Sequence, residues 1–180
     1  MHESKQLFTN KKCIFCGENQ LSQLLMIYAE PLSGDEIMIF TTSCDNCNYK
    51  KSETMPVKPS KYAKSNHYEL KIKTPEDMES KIYRAPSASI EIPSLEMSLE
   101  PGIAAEFFIT NVEGVLLKFK NACEFLLRDE DNKDRKKLLE QRIKTLSEYI
   151  KGNGMFNLIL FDSEGYSYVQ PKNEENLHYE

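Results

Sequence analysis

Cysteine is the residue type in this sequence whose number and spacing are best suited to chemistry. Four of the five cysteines form two pairs with the same two-residue gap, Cys13 with Cys16 and Cys44 with Cys47. A gap of this size lets both sulfurs of one turn face the same ion, and two such turns can surround zinc with four thiolates at about 2.3 Å. The pattern predicts one structural zinc ion in a closed site, because no position is left open for water or substrate.

Two alternatives to this zinc site remain open from the sequence. Iron accepts the same four thiolates, so the ligands alone do not separate it from zinc. The two pairs could also be unrelated redox or buried cysteines, although no redox motif surrounds either of them. The fifth cysteine, Cys123, falls on the apolar face of a predicted helix and is expected to be a small core residue.

The residues around the cysteines predict a β-hairpin whose ends are clamped by the metal. A tight turn favours φ > 0 just after the second cysteine of each pair, and Gly17 and Asn48 occupy those positions. Between the pairs, the strand-like runs 22–29 and 37–42 flank a segment of turn residues. We therefore expect a zinc ribbon over residues 1–54, in which metal binding supplies the folding free energy.

The remaining residues predict a second, larger domain. Residues 55–66 combine prolines, serines and lysines and are expected to form a linker. Short strand patterns separated by prolines then predict a β domain over residues 67–170, a sandwich, jelly roll or related architecture. Helical periodicity at about 111–151 predicts two antiparallel helices inside that domain. Residues 171–180 are polar and are expected to form a frayed tail.

The first helix is expected to begin at a capping box, in which Thr110 is the N-cap and Glu113 follows three residues later. The second is expected from Lys133 to Lys151, with Gly152 as its stop. Apolar residues recur at helical spacing along the first helix, at Val112, Val115, Leu116, Phe119, Cys123, Leu126 and Leu127.

Composition limits the classes of function. The formal net charge of −5 argues against a general nucleic-acid coat protein. No apolar run approaches the ~18 residues that span a membrane, and the first residues lack a signal-peptide core, so a cytoplasmic location with reduced thiols is expected. The chain contains no phosphate-binding glycine motif. Its three histidines form no metal-binding cluster, so we expect a protein that is not an enzyme.

Four stretches of the sequence resemble the family of ZPR-type zinc-finger proteins. They are the finger at 13–49 and the segments 88–102, 108–117 and 158–165. The resemblance implies an elongation-factor-like zinc finger followed by a double-stranded β-helix (jelly-roll-like) domain with a helical-hairpin insertion. Eukaryotic members carry two such modules in tandem, so this chain resembles the single-module archaeal type.

The same resemblance implies a function. Eukaryotic members bind translation elongation factor one-alpha and help it to fold. By resemblance, this chain is expected to be a zinc-binding, non-catalytic protein-interaction adaptor or chaperone with that factor as its partner. The sequence departs from the family pattern at Asn48, where glycine is usual, and at Asn111, where a second threonine is common. Neither departure touches a predicted metal ligand.

Exposed side chains on a rigid ribbon are the candidate partner-binding residues. The set consists of Phe15, Leu32, Ile39, Tyr49, Lys50 and Lys51. Packing against the β domain is the alternative role for the apolar members. Nucleic-acid binding is the alternative function, because the segment 50–73 is rich in lysine and contains tyrosines that could stack on bases. A solvated linker would have the same composition.

Overall fold

The computed structural model describes residues 3–30, 33–102 and 105–180. The chain divides into two compact units. The ribbon unit comprises Met1–Ser60 and Glu106–Phe108, and the β unit comprises Lys61–Ala105 and Ile109–Glu180. This division falls inside residues 55–66, the segment that the sequence assigned to a linker. The presence of residues 106–108 in the ribbon unit was not predicted.

The ribbon unit is built on an antiparallel sheet. Its strands are β1 (Glu3–Lys11), β2 (Leu21–Ala29), β3 (Glu36–Cys44) and β4 (Lys50–Pro56), in the order β1-β2-β3-β4. The central pair agrees with the predicted runs 22–29 and 37–42, whereas β1 and β4 were not predicted. Both outer strands are rich in polar, exposed residues, so they lack the apolar–polar alternation that identifies a half-buried strand. Strand β4 also extends two residues into the predicted linker.

Two further sheets follow in the described part of the chain. Their strands are β5 (His67–Ile72), β6 (Lys81–Arg84), β7 (Ala88–Ile92), β8 (Met97–Leu99), β9 (Phe108–Asn111), β10 (Phe156–Asp162), β11 (Tyr168–Gln170) and β12 (Leu177–Tyr179). One sheet has the order β12-β5-β10-β7-β8, and the other has the order β11-β6-β9. Leu158 pairs with Leu70, and Leu160 pairs with both Tyr68 and Ile90; each of the five is at most 1% exposed. These residues form an apolar core for the β unit.

A helical hairpin is inserted between β9 and β10, as the sequence predicted. It consists of α1 (Val112–Arg128) and α2 (Lys133–Ile150), and no described helix is long and apolar enough to cross a membrane. The buried side chains of α1 are Val112, Val115, Leu116, Phe119 and Cys123. Leu126 was predicted on the same face but is 59% exposed, since the last turn of α1 continues beyond its buried residues.

The start of α1 differs from the prediction. Thr110 lies in β9, and Asn111 is the N-cap residue, with an extended backbone at φ −109° and ψ 178°. Its side-chain oxygen Oδ1 accepts a hydrogen bond from the backbone N–H of Gly114 at 2.9 Å. The capping box of Thr110 and Glu113 is therefore wrong, because an asparagine one position later fills the N-cap role.

The C-terminal residues do not form the frayed tail that their polarity predicted. Strand β12 pairs with β5, and Leu177 lies opposite Leu70. Before β12, the side-chain amides of Asn173 and Asn176 donate hydrogen bonds to the Asp77 carboxylate at 2.6 and 3.0 Å. The two asparagines lie 96 and 99 positions from Asp77 in the sequence, so the polarity of the local segment does not predict these hydrogen bonds.

Asp77 is a fully buried carboxylate that anchors this end of the chain. Burial by itself raises the pKa of the carboxyl group. The opposing hydrogen bonds from the Lys73 and Thr74 backbone N–H groups and from the two asparagine amides outweigh burial and lower the pKa to about 2. Asp77 therefore stays ionised over the physiological pH range.

Candidate metal centre

The thiols of Cys13, Cys16, Cys44 and Cys47 converge at one end of the ribbon sheet. Their four sulfurs all lie within 4.8 Å of one another. The Sγ atoms of Cys13 and Cys47 are 3.9 Å apart, and those of Cys16 and Cys44 are 3.7 Å apart. A tetrahedron with metal–sulfur bonds of about 2.3 Å has edges of about 3.8 Å, so both distances fit a tetrahedral tetrathiolate.

The two cysteine turns have the same backbone construction. The Cys13 N–H donates to the Glu18 carbonyl, and the Cys44 N–H donates to the Tyr49 carbonyl, each at 2.8 Å. Cys44 is the last residue of β3 and pairs with Leu21 at the start of β2. The β2–β3 hairpin therefore returns the chain to the level of the first turn and brings the two cysteine pairs together.

Both positions that were expected to need positive φ have it. Gly17 has φ of +80° and Asn48 has φ of +56°. The Gly17 N–H donates to the Cys13 carbonyl at 2.9 Å, which closes the first turn. Within the same turn, the Phe15 N–H donates to Cys13 Sγ at 3.4 Å, a contact that stabilises negative charge on the sulfur.

The electrostatics of the cluster favour a bound cation. Hydrogen bonds from the Glu18 backbone and the Asn46 side chain lower the pKa of Cys16 to about 7. At Cys47, the Tyr49 backbone hydrogen bond also lowers the pKa, but desolvation and the neighbouring thiols outweigh it and raise the pKa to about 12. The last thiol to ionise must accept charge beside other sulfurs, so four thiolates here require a positive ion between them.

The donor set limits the choice of metal. Four sulfurs suit zinc or iron, whereas calcium and magnesium require oxygen ligands. In the part of the chain that the structure describes, no other group of histidine, cysteine or acidic side chains is placed to hold a metal. Cys123 is a buried residue of α1, as expected.

An exposed apolar surface lies beside the thiols. Phe15 is 64% exposed, and its ring centroid lies 4.3 Å from that of Tyr49. Ile14 is 82% exposed and was not among the residues predicted to bind a partner. Its position between Cys13 and Cys16 could have indicated this exposure, because a two-residue metal turn has no core in which to bury a side chain. We call Ile14, Phe15 and Tyr49 the knuckle face.

The other candidate partner-binding residues are placed differently. Lys50 and Lys51 are exposed at the start of β4, and Lys51 Nζ lies 2.6 Å from the Glu53 carboxylate, which raises the pKa of Lys51. Ile39 is half-buried in the middle of β3, five residues from Cys44, and so is not part of the knuckle face. Leu32 lies outside the described residues.

Fold and site together define a protein made of a four-cysteine β ribbon and a jelly-roll β domain with a helical hairpin. Residues 76–180 match the ZPR1 jelly-roll domain. A ZPR1-like protein of Methanocaldococcus jannaschii is 36% identical over 135 residues, which cover 72% of this chain and 64% of the relative. This chain therefore belongs to the ZPR1 family.

Two other relatives extend the comparison. A ZPR1-like protein of Pyrococcus horikoshii is 33% identical over 77% of this chain and 60% of its own length. The zinc finger chaperone zpr1 of Schizosaccharomyces pombe is 28% identical over 75% of this chain, but the alignment covers only 30% of the yeast protein. The chain thus spans less than two thirds of each of these relatives.

Proposed function

We propose that this chain is a zinc-binding, non-catalytic protein-interaction adaptor or chaperone. Cys13, Cys16, Cys44 and Cys47 would hold one zinc ion in a structural role. The observation that carries the proposal is the convergence of these four thiols beside an exposed apolar surface. Zinc would close the two turns into a rigid head and leave no coordination position for a substrate.

The knuckle face supports a docking role. Ile14 and Phe15 are largely exposed. Burying one such side chain against a partner would contribute about 1.5–3 kcal/mol to the binding free energy. The turns on which they lie are closed by backbone hydrogen bonds, so little conformational entropy would be lost when a partner binds. Aromatic side chains of this kind are often the residues that contribute most to a protein–protein interface.

Translation elongation factor one-alpha is the proposed partner. Support comes from the sequence resemblance and from the yeast relative that carries the name zinc finger chaperone. Lys11, Lys12 and Lys50 are exposed and form no ion pair within the described ranges, which favours a partner with carboxylates around its contact surface. The proposed setting is the cytoplasm, where a four-thiolate site stays reduced.

The test is a binding titration of the zinc-loaded chain against purified elongation factor one-alpha. Phe15→Ala should weaken binding by about 1.5–3 kcal/mol, or roughly ten- to a hundredfold. Phe125→Ala is the matched control, because Phe125 is 66% exposed but lies on α1 in the β unit. Cys44→Ser should abolish binding together with the metal.

Two results would contradict parts of this proposal. Undiminished binding by Cys44→Ser, with zinc shown to be absent, would exclude the ribbon as the docking head. Loss of binding by Phe125→Ala but not by Phe15→Ala would place the contact on the helical hairpin instead.

Nucleic-acid binding by residues 50–73 has weaker support. Glu53 pairs with Lys51, and the Nζ atoms of Lys61 and Lys64 lie over tyrosine rings at 5.0 and 5.7 Å from the ring centroids. These contacts occupy part of the lysine charge that phosphates would use and, at Tyr62, ring surface on which a base would stack. Filter binding of RNA across a salt series separates the two functions, since phosphate contacts give a steep decrease in affinity with salt.

A further inference from the structure

The two thiols of each cysteine turn differ in exposure. Cys13 and Cys44, the first cysteine of each pair, are only 2% and 1% exposed. The second members are more accessible to solvent, because Cys16 is half-buried and Cys47 is exposed. Cys13 comes shortly after β1 and Cys44 ends β3, whereas Cys16 and Cys47 lie in the turns themselves. The metal centre therefore has a protected side and an open side.

We propose that Cys47 is a modification site through which soft electrophiles and peroxides enter and dismantle the metal centre. The inference rests on the proposed function, because it assumes a zinc-loaded centre. In that state all four ligands are thiolates, so access rather than ionisation decides which sulfur reacts first. Among these four cysteines, which the structure describes in full, Cys47 alone is exposed.

The chemistry with an alkylating electrophile is simple. The Cys47 thiolate attacks an alkene carbon of a maleimide, a carbon–sulfur bond forms, and the electron pair of the double bond takes a proton from water and leaves hydroxide. The product is a neutral thioether. Loss of this anionic ligand leaves three thiolates and weakens metal binding.

Peroxide would act through two balanced steps. The Cys47 thiolate attacks one oxygen of hydrogen peroxide, the O–O bond breaks, hydroxide leaves, and sulfur is oxidised by two electrons to sulfenic acid. A second thiolate then attacks that sulfur, forms a disulfide and expels hydroxide. Cys13 is a candidate for the second thiolate, because its Sγ lies 3.9 Å from Cys47 Sγ. Either route would remove the ion that holds the two cysteine turns together and so would abolish partner binding.

The test maps reactivity along the zinc-loaded full chain. Zinc content is measured first, one equivalent of N-ethylmaleimide is added, and peptide mass spectrometry locates the adduct. We expect the first adduct on Cys47 and the next on Cys16. Cys13 and Cys44 should react only after zinc leaves, which a chromogenic zinc indicator follows. Cys123, which is 3% exposed in the β unit, is an internal reference for a protected thiol.

Matched ligand variants give a second measurement. Cys47→His and Cys44→His both leave a Cys₃His set, which is a common structural zinc site. Cys47→His should slow the first modification at least about fivefold, because the accessible thiolate is gone. Cys44→His should leave the rate at Cys47 unchanged. If either variant loses zinc, the adduct map of the unsubstituted chain decides alone.

The outcomes separate this inference from the function beneath it. Two results with a zinc-loaded chain would overturn the inference: equal labelling of the four ligands, or labelling of Cys13 or Cys44 first. Neither result would contradict the proposed zinc site. A chain that purifies without metal would overturn the proposed zinc-dependent function, and the inference with it.

Discussion

The ribbon unit and the β unit have different internal structures. In the described part of the ribbon unit, the buried apolar residues, with cysteine counted among them, are Cys13, Ile37, Cys44 and Phe107. Two of these four belong to the metal centre. The β unit buries a continuous layer instead. Examples that are at most 1% exposed are Tyr68, Leu70, Ile82, Ile90, Ile92, Val112, Val115, Leu116, Leu146, Leu158 and Leu160.

This difference indicates two sources of stability in one chain. Ordering a residue costs roughly 1–2 kcal/mol of backbone entropy, and the ribbon sheet has few buried side chains to offset that cost. We therefore expect metal binding to stabilise the ribbon unit, and apolar packing with buried carboxylates such as Asp77 to stabilise the β unit. Each of the following predictions tests one side of this comparison.

Removal of the metal should have the largest effect. With Cys44→Ser or a strong chelator, the ribbon unit should unfold, because apparent zinc-binding free energies of such sites reach about 10–16 kcal/mol. Hydrogen exchange measured by mass spectrometry should show loss of protection in β2 and β3 and retained protection in β10. Protected amides in β2 and β3 of metal-free protein would refute the comparison itself.

A substitution that creates a cavity in the core of the β unit should have the next largest effect. Leu158→Ala removes a side chain that is 0% exposed and faces Leu70, and should lower the free energy of unfolding of the β unit by about 2–5 kcal/mol. Leu126→Ala is the control at an exposed leucine and should cost much less. Both variants should keep their zinc, and a loss of zinc with Leu158→Ala would mean that the two units are not independently stabilised.

Acid should destabilise the β unit through Asp77. The folded-state pKa of about 2 lies below the ordinary value of 3.8, so this stabilisation is fully present above pH about 4 and is lost as the pH falls toward 2. The size of this stabilisation is about 2 kcal/mol. Asp77→Asn should flatten the dependence of unfolding free energy on pH in this range, whereas the exposed Asp131→Asn should not. An unchanged pH profile in Asp77→Asn would argue against the buried network.

The smallest effect is expected at the start of α1. Asn111→Ala should cost about 1 kcal/mol of β-unit stability, because it leaves the Gly114 N–H without its cap. Asn111→Ser is the conservative control and should retain most of that stability. Denaturant unfolding compares the two variants. Equal stability of both would indicate that Asn111 does not cap the helix in solution.

Local sequence predicted the parts of the structure that depend on near neighbours. The two-residue gaps and the residues after them, Gly17 and Asn48, predicted the cysteine turns, because a turn is set by adjacent backbone angles. Helical periodicity predicted the two helices of the hairpin, because the residues that share one face of a helix are only three or four positions apart. Local reasoning was wrong at Thr110, since threonine and asparagine are both good N-cap residues and only the length of β9 decides between them.

The amino-acid sequence by itself determined the cysteine turns, the two central ribbon strands and the helical hairpin. Only the tertiary structure decided which polar segments become strands, as in β1, β4 and β12, and which thiols of the cluster face solvent. It also decided the partners of Asp77, which lie almost a hundred positions away. Pairing with a neighbouring strand or burial against a distant element creates these features, and neither leaves a pattern in the nearby residues.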